Sequence, residues 1–120
     1  MEKGVPESLR MWFLFHFAVD LAFGLPLLFQ PELLFKLFGL PFVELLTARL
    51  LGAGLLGLGF VSLYAHKKGR EVYDALLTMK IAWSLVAIFA LLISRPILWP
   101  IVAIFVIFSA TWIYYRRRIR

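Results

Sequence analysis

Apolar residues in this chain gather into four runs, each near the roughly 20 residues that a helix needs to cross a bilayer core. The runs are Met11 to Phe29, Phe42 to Ala65, Val72 to Ile93, and Ile97 to Tyr115. They predict an all-α fold, an integral membrane four-helix bundle forming a single transmembrane domain over residues 1–120. The first run is too long for a signal-peptide core, holds Asp20 at its middle, and has no small-x-small cleavage pattern after it. It is therefore expected to be retained.

The breaks between runs have physical causes. Pro26 weakens the last turn of the first helix, and Pro31 can open a new one, because a proline at the first helical position loses no bond it needs. Residues 31–39 then read as a short amphipathic helix with Glu32 and Lys36 one turn apart, expected to lie along the membrane surface. His66-Lys67-Lys68-Gly69-Arg70 is a polar turn, Ser94-Arg95-Pro96 is another, and Pro100 settles the start of the last helix.

Composition strengthens the membrane reading: 62% of the 120 residues are hydrophobic and only 17% are charged, too little polar surface to cover a water-facing globule. The chain has no cysteine, which removes disulfides, thiolate metal sites and thiol nucleophiles. The net charge of +6 is asymmetric. Lys3 and Arg10 precede the first span, Lys67, Lys68 and Arg70 link the second and third, and Arg116, Arg117, Arg118 and Arg120 follow the fourth. Basic residues in short loops stay on the cytoplasmic side, so both termini are expected there, with a prokaryotic cytoplasmic membrane as the expected location. Trp12, Tyr64, Tyr73, Trp112, Tyr114 and Tyr115 fall at the same level, as an interfacial belt would. The arginine-rich terminus is expected to contact anionic lipid headgroups, not nucleic acid.

Charges within a span are costly and ask for a partner or a purpose. Asp20, Arg49 and Lys80 stand well inside, with Asp20 roughly 12 Å and Lys80 roughly 10 Å from the inner interface at the helical rise. His16, Asp20 and Gly24 share one face of the first helix, and Tyr73, Lys80, Ser84 and Ala87 share one face of the third. If those faces meet they form one polar seam. The seam is then either a structural ion pair fixing helix register or a cavity for a small ion, anionic or lipid-soluble ligand, with Arg49 and Lys80 supplying positive charge and Asp20 and His16 titrating.

The second span carries the small residues Ala48, Gly52, Ala53, Gly54, Gly57 and Gly59, which permit close helix packing inside the protein or in a homo-oligomer. Glu44, Ala48, Gly52, Gly59 and Ser62 lie on one stripe of it. His16 and His66 differ in depth, which disfavours a bis-histidine haem, and no cofactor or metal site is expected. There is no catalytic motif and no set of nucleophile, base and orienting group.

The segment Gln30-Pro31-Glu32-Leu33-Leu34-Phe35-Lys36-Leu37-Phe38-Gly39-Leu40-Pro41, followed by Thr47-Ala48-Arg49-Leu50-Leu51-Gly52-Ala53-Gly54, resembles small four-helix prokaryotic membrane proteins of the DoxX-like kind. Their Arg-x-x-Gly early in the second helix is matched by Arg49 and Gly52. The resemblance implies a membrane subunit or a lipid-soluble ligand site near Arg49. Two functions remain open from the sequence: ligand binding or transport at the seam, and a non-catalytic membrane subunit or scaffold that packs a partner or itself through the glycine-rich helix.

Overall fold

The computed structural model describes residues 4–41 and 44–120. Among them are five helices: α1 (Glu7–Phe29), α2 (Pro31–Leu37), α3 (Leu45–Ala65), α4 (Arg70–Leu92) and α5 (Trp99–Ile119). All but α2 are long and apolar enough to cross a membrane. The expected start of the second span at Phe42, and the basic residue Lys3, lie outside the described residues.

α1 at its start and α5 at its end overrun the apolar stretches that announce them. α1 begins at Glu7, four residues before Met11, where a carboxylate in the first turn favours the helix dipole. α5 runs on past Tyr115 through Arg116, Arg117 and Arg118, whose positive charge suits the carbonyl end of a helix. Hydropathy marks the apolar stretch and the backbone continues into the polar flank for as long as the residues tolerate a helix.

Pro26 lies within α1, and its carbonyl accepts the Gln30 N–H at 2.7 Å. Pro31 then ends the helix by pushing the residue before it out of the helical region, and Gln30 has φ −140° and ψ 62°. The same proline is the first residue of α2. α2 is shorter than the 31–39 expected: Gly39 takes φ +71°, the Leu40 N–H reaches the Phe35 carbonyl at 2.9 Å, and that left-handed closure stops the helix after Leu37. Glu44 caps α3, accepting from the Leu46 N–H at 3.0 Å and the Thr47 N–H at 2.7 Å. At the C-terminal end of α4, Arg95 donates to the Leu92 carbonyl at 3.0 Å, an acceptor that the helix leaves open, and to the Ser94 carbonyl just beyond it at 2.9 Å.

The chain divides into two compact units. Pro6–Lys67 holds α1, α2 and α3, with α1 and α3 antiparallel. Their backbones approach most closely where Gly24 and Gly52 cross: a methyl placed on Gly52 would stand 2.8 Å from the Gly24 carbonyl oxygen and 2.9 Å from the Leu28 nitrogen. Phe38 stacks on Phe23, ring centroids 6.4 Å apart, and holds the end of α2 against α1. The other unit, from Lys68 to Arg120 with the N-terminal Gly4 and Val5, contains the antiparallel pair α4 and α5. Trp83 and Phe105 meet edge to face across that pair at 6.2 Å.

Candidate functional site

In the first unit, the inward face of α1 is built by Phe13, His16, Asp20, Gly24 and Leu27, spaced three and four apart so that they form one stripe. Asp20 is 4% exposed and His16 is 7% exposed. The His16 Nε2 lies 3.5 Å from Asp20 Oδ1, one turn along the same helix. Gly59 of α3 makes room for the carboxylate: a Cβ there would come within 3.0 Å of Asp20 Cβ and 3.6 Å of Asp20 Oδ2. Ser62, the next residue on that stripe of α3, is fully buried and donates to the Leu58 carbonyl at 3.0 Å. An acid and an imidazole at this spacing have the chemistry to share a proton, and this pair lies more than two turns from either end of α1.

In the second unit, Tyr73, Leu77, Lys80 and Ser84 form the buried face of α4. Lys80 is 1% exposed, with Nζ over the Trp112 ring at 5.2 Å from its centroid. That ring stacks on Phe108 at 5.5 Å. Ser109 donates to Ser84 Oγ at 3.1 Å, and Ser84 donates to the Ile81 carbonyl at the same distance, so the Ser84 hydroxyl both donates and accepts. The shared face read for Tyr73, Lys80 and Ser84 is present, while Ala87 is half-buried at its edge.

Arg49 is placed differently from the expected seam. It is exposed, and its Nε donates to the Leu28 carbonyl at 3.2 Å, at the end of α1. Along α3 it stands ten residues from Gly59, about 15 Å from the level of Asp20. Both Glu44 oxygens are engaged in the cap of α3. Hydrogen bonds from the Thr47 side chain and from the Thr47 and Leu46 backbone hold the Glu44 carboxyl below the ordinary 4.5.

The small residues of α3 divide by face. Ala48, Gly52 and Gly59 are buried, whereas Ala53, Gly54 and Gly57 are exposed, with nothing within 4 Å of a methyl built on either Gly54 or Gly57. The terminal arginines are only partly available to lipid. Arg116 donates to Thr78 Oγ1 at 2.8 Å and lies 3.5 Å from Asp74, Arg120 lies 3.4 Å from the same carboxylate, and Arg118 reaches the Tyr114 hydroxyl at 3.4 Å.

Two residues carry more than their sequence positions suggest. Arg10, counted with the interfacial positive charge, is 1% exposed and donates to the His66 carbonyl at 2.6 Å, joining the start of α1 to the end of α3. Trp112, counted with the aromatic belt, is buried beneath Lys80, and Tyr73 and Tyr115 are buried as well, so half of that belt faces protein. The spacing of Ser109, Trp112, Tyr115 and Ile119 on one face of α5 was the available signal. His66 lies level with Arg10, six residues or about 9 Å along the pair from His16, so the two imidazoles do not face each other. Among the described residues no group of three His, Cys, Asp or Glu side chains is placed to hold a metal ion.

These features define a small all-helical protein with four helices fit to span a bilayer and two buried polar clusters at mid-helix. No protein-family model, curated protein or solved structure matches the chain.

Proposed function

We propose that this chain is a small integral membrane protein that binds or translocates a small ion, or an anionic or lipid-soluble ligand, at its intramembrane polar residues. His16 and Asp20 are the proton-linked members. Lys80 and Ser84 are the groups suited to negative charge or a carbonyl oxygen. The observation that carries this reading is the burial of the His16 and Asp20 pair at the middle of a helix long enough to span the membrane, since ionisable groups at that depth are costly and are retained where they pair or work. In this reading both termini face the cytoplasm of a prokaryotic cell, and α2 lies on the outer surface. The exposed Leu33 and Leu37, one turn apart on α2, support such an interfacial position.

The natural absence of cysteine provides the test. Single cysteines at positions 20, 24, 80 and 84 are exposed to a small hydrophilic thiol reagent in intact membranes. Labelling at two or more positions, together with loss of ion or ligand response in Asp20→Asn and Lys80→Met, is the expected result. Uniform protection in a folded protein, with every response intact in both variants, overturns the reading.

A second reading is favoured by the exposed Ala53, Gly54 and Gly57: a non-catalytic membrane subunit or scaffold that packs a partner or another copy of itself on that face. Arg49 and Gly52, on which the DoxX-like resemblance rests, both engage the end of α1, a task in helix packing that requires no ligand. Gly57→Leu should then abolish co-purification of a partner or self-association and leave the monomer folded.

A further inference from the structure

At the C-terminal end of α5, Ile113, Arg116, Arg117 and Arg120 follow one another at i, i+3, i+4 and i+7 and so share a single face. With Ile81 of α4 they line a groove of about 440 Å³, within the size range of small-molecule sites. The lining has a direction. Ile81 and Ile113 form its apolar end, and the guanidinium groups follow about 5 to 10 Å further along the helix. Tyr114, beside the groove and half exposed, is the kind of side chain found where hydrocarbon gives way to headgroups.

Charge at the groove is incompletely balanced. Asp74 serves both Arg116 and Arg120, in each case through Nε, which leaves their terminal nitrogens for another acceptor. Arg117 has no ion pair or hydrogen bond among the described residues, and it lines the groove beside those two. Three guanidinium groups on one groove, with a single carboxylate shared by two of them, suit an added anion, and arginine forks match phosphate oxygens two at a time.

We infer that this groove binds one anionic phospholipid, its phosphate held by Arg117 and the terminal nitrogens of Arg116 and Arg120 and its acyl chain laid on Ile81 and Ile113. The apolar end distinguishes this ligand from free phosphate, which would leave both isoleucines uncovered. The inference rests on α4 and α5 lying in a membrane but not on the polar residues at mid-helix, so Asp20→Asn should leave it unchanged.

The experiment titrates the full chain in a neutral detergent with short-chain phosphatidylglycerol, short-chain phosphatidylcholine and inorganic phosphate, following the indole and backbone signals by NMR. Phosphatidylglycerol should saturate a single site, with phosphatidylcholine and phosphate at least tenfold weaker. Arg117→Gln should weaken phosphatidylglycerol about fivefold, the equivalent of one basic residue near a headgroup, and Arg117→Gln with Arg120→Gln by more. Arg118→Gln, whose side chain is turned to Tyr114, should stay within twofold of the parent. Ile81→Ser with Ile113→Ser should weaken the lipid without changing phosphate. Equal losses for Arg117→Gln and Arg118→Gln mean diffuse attraction and overturn the site. Phosphate binding as tightly as the lipid, or phosphatidylcholine binding equally well, overturns it too.

Discussion

Replacing Gly52 by alanine tests the packing of the α1 and α3 pair directly. The new methyl would lie 2.8 Å from the Gly24 carbonyl oxygen, 2.9 Å from the Leu28 nitrogen and 3.0 Å from Leu27 Cβ. Two of these three atoms belong to backbone and have no rotamer through which to escape, so the helices themselves must separate. Overpacking of this kind costs about 1 to 3 kcal/mol, and a rigid backbone contact belongs at the upper end, about 3. Alanine returns about 1 kcal/mol through its better helix propensity, leaving a net loss of about 2 kcal/mol. Gly57→Ala is the matched control, because a methyl there meets nothing within 4 Å and only the propensity gain of about 1 kcal/mol remains. The two variants should therefore differ by about 3 kcal/mol in opposite directions from the parent. Reversible unfolding in mixed detergent, followed by circular dichroism, measures this difference. Equal stability of Gly52→Ala and Gly57→Ala would refute the close crossing of α1 and α3. Gly24→Ala should fall between them, since its methyl meets chiefly the movable end of Leu56 at 3.0 Å.

Three further outcomes follow from contacts elsewhere. Arg10→Met removes the charged donor to the His66 carbonyl and should cost about 1.5 to 3 kcal/mol in the same unfolding assay, with faster amide exchange at the end of α3. Trp112→Leu should destabilise the α4 and α5 pair, and a double-mutant cycle with Lys80→Met should return a coupling of about 0.5 to 2 kcal/mol; no coupling would mean that the ring acts by volume alone. Glu44 has a folded pKa lowered below 4.5, so its capping contribution is complete above the unfolded value and is lost as pH falls through the folded one. Exchange at the Leu46 and Thr47 amides should thus accelerate only in acid below 4.5, and Glu44→Gln should weaken the response.

Much of the fold was legible because a membrane span announces itself by length and hydropathy alone, and the prolines at 31 and 100 fix where new helices can begin. Less of the site was legible. The glycines of α3 signal close approach, but they occupy several faces, and only the crossing with α1 assigns Gly52 and Gly59 to the inside and Gly54 and Gly57 to the outside. The role of Arg10 is hidden for a related reason. Its value depends on a carbonyl 56 residues away at the end of another helix, which no local pattern discloses. Arg49 stands within an apolar run and so reads as buried, yet it needs only the open carbonyl at the end of α1 and stays exposed. His16 and Asp20 were the exception, since one turn of one helix is enough to bring them together.

The bond from Arg10 to His66 also orders events during synthesis. α1 leaves the ribosome with a guanidinium whose acceptor, the His66 carbonyl, arrives only when the end of α3 has itself cleared the exit tunnel, well after His66 is joined to the chain. Until then the charge is best kept in water, which delays full seating of the nascent helix. Emergence of the last turn of α3, and not its translation, should then let α1 seat fully, and a nascent chain arrested with His66 still inside the exit tunnel should leave Arg10 open to a membrane-impermeant arginine reagent that a longer nascent chain excludes.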